Sequence, residues 1–192
     1  TLLLCGRFGK HNSEARPLNQ SEFHELDRAL EAYKLEPKNI LKMSALELKS
    51  IGVTRGLSAK RLDGLLGRSG DLEQTVNTWS EAGIWVLGER DTQYPRRLHQ
   101  RLTSARPPLL FGAGVMDCLD MGGICIVGSR ASREPALQFS NALGKRCALE
   151  GLTVISNDMR GVDREAVSAT LECSGRAIIV MSDRLEKAVG SK

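Results

Sequence analysis

From Gly122 onward the chain alternates short, largely apolar runs with stretches of helical spacing, and no other feature restricts its fold as strongly. The apolar runs cover residues 124–127, 152–155 and 177–181. Between the first two, Pro135 opens a predicted helix that carries Phe139, Leu143 and Cys147 on one face and stops at Gly151. Proline suits the first helical turn, and glycine suits the residue past the last. Between the second and third runs, Asp163 is the expected N-cap of a helix that ends near Gly175. Strands without polar alternation, separated by helices, predict an α/β chain whose parallel sheet is covered on both faces. Right-handed crossovers then set the three strands side by side, with their carboxyl ends at one edge. Open sheets of this kind bind ligands at that edge. Three parallel strands make half of such a fold, so further residues are expected beyond Lys192.

Ahead of this part the apolar period is helical. Phe23, Leu26, Leu30 and Tyr33 follow Ser21, the expected N-cap. Ser44-Ala45-Leu46-Glu47 reads as a capping box, with Gly52 as its stop. A third helix is predicted from Ser58 through Leu62, Leu65 and Leu66 to Gly67 or Gly70, and a fourth carries Leu72, Val76 and Trp79 to Gly83. These capped stretches predict a small all-helical N-terminal domain over 1–83, with Trp79 buried in it. The pattern then changes: 84–87 reads as a short strand, 90–108 is polar and basic with three prolines, and Leu109-Leu110-Phe111 is a second apolar stub. Residues 84–112 are expected to be a basic, proline-containing connector, and 113–192 the α/β domain.

Composition excludes several classes. The chain has 192 residues, of which 41% are hydrophobic and 26% charged, a globular balance rather than a disordered one. No apolar run approaches the roughly 20 residues of a membrane helix, and Leu2 to Cys5 is too short for a secretory signal, so no membrane partner is expected. Cys5, Cys118, Cys125, Cys147 and Cys173 contain no CxxC, and an odd count fits a reducing cytoplasm. His11, His24 and His99 are scattered, so neither a metal nor a cofactor is expected. A net charge of +4 tolerates an anionic partner without demanding one. Arg96, Arg97, His99, Arg101 and Arg106 stand together with no acidic residue between Asp91 and Asp117; they read as a solvated basic loop or as the outer part of an anion site.

The first apolar run leads into Gly128-Ser129-Arg130-Ala131-Ser132 and then a helix start. Glycine lets backbone approach a ligand, Ser129 and Ser132 offer hydroxyls, Arg130 offers a planar fork, and the helix N-terminus attracts anions. The second and third glycines of a dinucleotide fingerprint are absent. The second run leads into Ser156-Asn157-Asp158-Met159-Arg160-Gly161, at the same sheet edge. Gly128, Ser129, Arg130, Ser132, Ser156, Asn157, Arg160 and Gly161 are therefore the candidate phosphate-binding residues. No nucleophile has an adjacent base and Asp158 has no second carboxylate nearby, so binding and not catalysis is expected.

Further residues carry a resemblance: Asp91 with Tyr94-Pro95 and Leu98, then Pro107-Pro108-Leu109-Leu110-Phe111. Ile126-Val127-Gly128-Ser129-Arg130 with Ser132, Gly151, Ser156, Arg160-Gly161-Val162-Asp163, Ala166 and Gly175 follow in order. From about Gly83 to Lys192 the chain resembles the DprA/Smf family of DNA-processing proteins, and its helical first part is similar to that family's small N-terminal domain. The resemblance implies a Rossmann-like parallel sheet that binds single-stranded DNA and helps load a RecA-type recombinase in natural transformation, with homo-oligomerisation open. By position it assigns Arg130 and its neighbours to DNA phosphates and the 156–163 loop to the same pocket. The chain departs from the family at Asn157, Asp158 and Met159, which stand where small residues are usual, and at Val167, which stands where a histidine is common.

Other readings are a nucleotide-sensing domain at the Gly128/Gly161 edge and a protein-interaction scaffold, either of them in a phage-defence setting. A phosphoribohydrolase lacks its PGGxGT motif here.

Overall fold

The computed structural model describes residues 1–8, 16–51, 58–157, 159–182 and 185–190. By their contacts the residues form two compact units, Thr1–Ala113 and Gly114–Lys192. The stretch 84–112, expected as a connector, contains strands and a helix and lies in the first unit.

The first unit runs through α1 (Leu2–Cys5), α2 (Gln20–Ala32), a 3-10 turn (Pro37–Lys42), α3 (Ala45–Ser50), α4 (Ala59–Leu66), α5 (Ser69–Glu81), β1 (Ile84–Gly88), α6 (Arg96–Leu102), a second 3-10 turn (Thr103–Ala105) and β2 (Leu109–Ala113). Phe23, Leu26 and Leu30 enter the core with Leu4, Leu18, Ile40, Leu48, Ile51, Leu62 and Leu65. Each fully buried side chain of this size contributes about 1.5–3 kcal/mol. Tyr33, expected on the same stripe, is instead exposed, because it caps the helix end and its hydroxyl reaches the Ser50 carbonyl. The N-cap of α2 is Asn19 and not Ser21: its side chain accepts from the Glu22 amide while Glu22 accepts from the Asn19 amide, a reciprocal pair unavailable two residues later. Ser44 and Glu47 form the expected capping box, and Ser58 caps α4 through the Arg61 amide. Gly52 lies outside the described residues. Trp79 is buried, packed edge-on against Phe111 of β2 with ring centroids 5.2 Å apart. β1 and β2 pair antiparallel from Ile84↔Ala113 to Gly88↔Leu109.

The second unit contains α7 (Cys118–Met121), β3 (Ile124–Cys125), α8 (Glu134–Leu149), β4 (Val154–Asn157), α9 (Val162–Glu172), β5 (Ala177–Val180) and α10 (Leu185–Val189). The three expected strands are adjacent and parallel, in the order β3-β4-β5, with Ile124↔Val154 and Val154↔Ala177 in register. This is the Rossmann-like α/β arrangement expected. The strand ends differ from the apolar runs: β3 is two residues long, and β4 takes in Ser156 and Asn157, which were expected in a loop. Pairing with the neighbouring strand sets these limits, and the edge of an apolar run does not.

Covering both faces of the sheet was also expected, and here the structure differs. Consecutive strands in sequential order, joined by right-handed crossovers, carry α8 and α9 on one side. Ile126, Cys147, Val154, Ala166 and Val167 close the core there, with Leu143, Val162 and Ala177 around them. The pleat turns Cys125, Ile155 and Ile178 to the other face. Phe139 is 70% exposed and does not join Cys147 against the sheet. The buried face of α8 is Ser140, Gly144 and Cys147, small residues that let α9 approach closely, and the Thr170 hydroxyl donates to the Gly144 carbonyl.

Candidate functional site

The site is built from the ends of β3 and β4 and the starts of α8 and α9. After β3 the ladder persists for one more bond, from the Ile126 amide to the Ile155 carbonyl. The chain then turns through Gly128 to Ser132. The turn is held from within: the Ala131 amide donates to the Ser129 hydroxyl oxygen, and the Ser132 hydroxyl donates to the Ser129 carbonyl. Both hydroxyls therefore shape the turn as well as facing its surroundings. α8 then begins behind Arg133, which makes no side-chain cap, with Pro135 in the first turn. Pro135 has no amide hydrogen to give, and the Ala136 amide already donates to the Arg133 carbonyl, so this helix start offers a ligand little backbone.

The second loop abuts the first through backbone. Gly161 has φ +81°, in the left-handed region, and a Cβ there would stand 2.3 Å from the Ser129 carbonyl oxygen. A Cβ on Gly128 would stand 2.7 Å from Val162. Both glycines thus serve the contact between the two loops, which is a different reason from the ligand approach that their position suggests. The Val162 amide also points to the Ser129 carbonyl, at 3.4 Å.

Asp163 completes the junction. It was expected to cap α9, but the N-cap is Gly161, and Asp163 lies inside the first turn. Its carboxylate, 2% exposed, accepts a 2.7 Å hydrogen bond from the Gly128 amide. Nothing in the local sequence signals this, because the partner is 35 residues away.

The predicted residues separate accordingly. Gly128, Ser129, Arg130, Ser132, Arg160 and Gly161 come together at the carboxyl edge. Arg130 and Arg160 are exposed and have no partner among the described residues. Ser156 lies beneath that edge, buried, with its hydroxyl donating to the Ile126 carbonyl at 2.6 Å. Asn157 is half-buried as the last residue of β4. Asp158 lies outside the described residues.

The basic cluster of the first unit is divided too. Arg106 donates to Glu89, which is buried and also receives His24 at 3.1 Å. Glu89 lies just outside the acid-free stretch, so Arg106 is neutralised by a residue that a count between Asp91 and Asp117 misses. Arg97 and Arg101 remain exposed one turn apart on α6. A cleft of about 590 Å3 beside them has its charges engaged internally: Arg90 holds Asp27 and Glu31, and Asp91 accepts from the Gly88 amide. Tyr94 donates to the Pro107 carbonyl, and burial pushes its phenol up to about 12. The Asp91, Tyr94 and Pro107 pattern is thus a device that closes the β1–β2 excursion. Among the described residues no cluster of His, Cys, Asp and Glu is placed to hold a metal ion, and no helix is long and apolar enough to cross a membrane.

Comparison with known proteins agrees with this architecture. The family model described as DNA recombination-mediator protein A matches residues 85–192. The protein Smf of Synechocystis sp. is 24% identical over 143 residues, which are 71% of this chain and 35% of that protein. The X-ray structure of DNA processing protein A (DprA) from Streptococcus pneumoniae superposes with a TM-score of 0.63 at 19% identity, covering 90% of this chain and 60% of that one. The chain therefore spans about a third of the first relative's length and three fifths of the second's.

Proposed function

The chain belongs to the DNA recombination-mediator protein A family, and from that premise we propose that its Gly128/Gly161 edge binds the phosphate backbone of single-stranded DNA. One observation carries the reading: two abutting loops present Arg130 and Arg160, both exposed and without a protein partner among the described residues. Two guanidinium groups on an exposed edge suit a run of phosphates. Ser129, Ser132 and Asn157 border that path, and Ser156 supports it from below.

The role that follows is mediation and not bond-making: the chain holds a strand for a RecA-type recombinase, in the cytoplasm, with self-association as part of the same activity. Phosphate contacts position a strand without reading its bases, so sequence preference is slight.

The test is a salt titration with a labelled single strand. Log affinity falls with log salt at about −0.7 per phosphate neutralised, and Arg130→Ala binds more weakly with a slope shallower by roughly one contact. A wild-type chain that leaves the strand unbound at low salt, or that releases it to a mononucleotide, overturns the proposal.

A further inference from the structure

We propose that Asp163 is a positioning residue for this anion edge, fixing Arg130 through the Gly128 amide; the inference rests on the DNA-binding reading above. A carboxylate beside a phosphate path opposes binding by charge, so its presence calls for a reason. The geometry supplies one. Asp163 is 2% exposed, its oxygen lies 2.7 Å from the Gly128 nitrogen, and Gly128 is two residues before Arg130. Around that bond the contacts are backbone to backbone: Gly161 against the Ser129 carbonyl, and the Val162 amide toward the same oxygen. The Ser140 hydroxyl holds the Val162 carbonyl at 2.7 Å, tying the start of α9 to α8.

Asp163 therefore joins three parts: the end of β3, the first turn of α9 and, through its neighbour, α8. It also uses the Gly128 amide, which a glycine-rich phosphate loop would offer to its ligand. Recognition is left to the side chains that follow. The bond does the positioning, and the charge does not.

The experiment uses the full chain, a labelled oligothymidine strand and the variants Asp163→Asn, Asp163→Ala and Arg130→Ala, with thermal unfolding to establish that each folds. An amide oxygen accepts the Gly128 hydrogen as a carboxylate does, so Asp163→Asn binds as tightly as wild type or tighter. Asp163→Ala binds about tenfold more weakly, the size of one lost hydrogen bond to a charged group. In the Arg130→Ala background the same change costs little more, because both act through one contact. If Asp163→Ala does not fold, Asp163→Glu replaces it, since one extra methylene misplaces the acceptor while keeping the charge; it too binds more weakly. A folded Asp163→Ala or Asp163→Glu that binds like wild type, or a loss fully additive with Arg130→Ala, overturns the inference and leaves the DNA-binding reading standing. A wild-type chain that ignores the strand overturns both.

Discussion

Glu22 receives two hydrogen bonds from Arg61, one from Arg16 and one from its own capping partner Asn19. The Arg61 bonds are the chief cause that its carboxyl falls from the usual 4.5 to about 2. A carboxyl held lower in the folded state stabilises at pH above its unfolded value, and that stability drains as pH falls from about 4.5 toward 2. Glu22→Gln should lower neutral-pH stability by about 2 kcal/mol and flatten this acid limb, as read by urea melts across pH. Thr153 makes the opposite case. Its hydroxyl is buried without a hydrogen-bond partner among the described residues. Thr153→Val keeps the shape and removes the stranded oxygen, so it should raise stability by about 1 kcal/mol in the same melts.

At the scale of elements, caps decide where helices start. Asn19→Ala should cost about 1 kcal/mol, while Ser21→Ala should cost a few tenths at most, by thermal unfolding. That contrast marks what could be read beforehand. Asn19 and Ser21 are both capping types, but only Asn19 has Glu22 three residues on, a signal present in the sequence. The three parallel strands were legible because each starts from a short apolar run, although β3 and β5 are partly exposed, and α8 and α9 because glycine and proline bound them. Phe139 was misplaced because a stripe drawn through large residues ignored Gly144, where α9 comes closest. In the site, Arg130, Arg160 and the two glycines followed from lying after strands. The Asp163–Gly128 bond and the Glu89–Arg106 pair did not, since each joins residues that only the fold brings together.

For the whole molecule, the sequential strand order leaves one sheet face without α8 or α9. Val127 and Val180 on that side are 59% and 56% exposed. Replacing both with lysine should change stability by under about 0.5 kcal/mol each and reduce uptake of an apolar dye. The two margins of the same sheet are unequal. β3 pairs over two residues and adds one further bond before turning away, so it offers a second chain little template. β5, Ala177-Ile178-Ile179-Val180, contains neither charge nor proline and, among the described residues, pairs with β4 alone. Among the described residues, a strand margin of this composition is the template onto which another chain's backbone would pair, and it ends at Val180, opposite Asn157 of the anion edge.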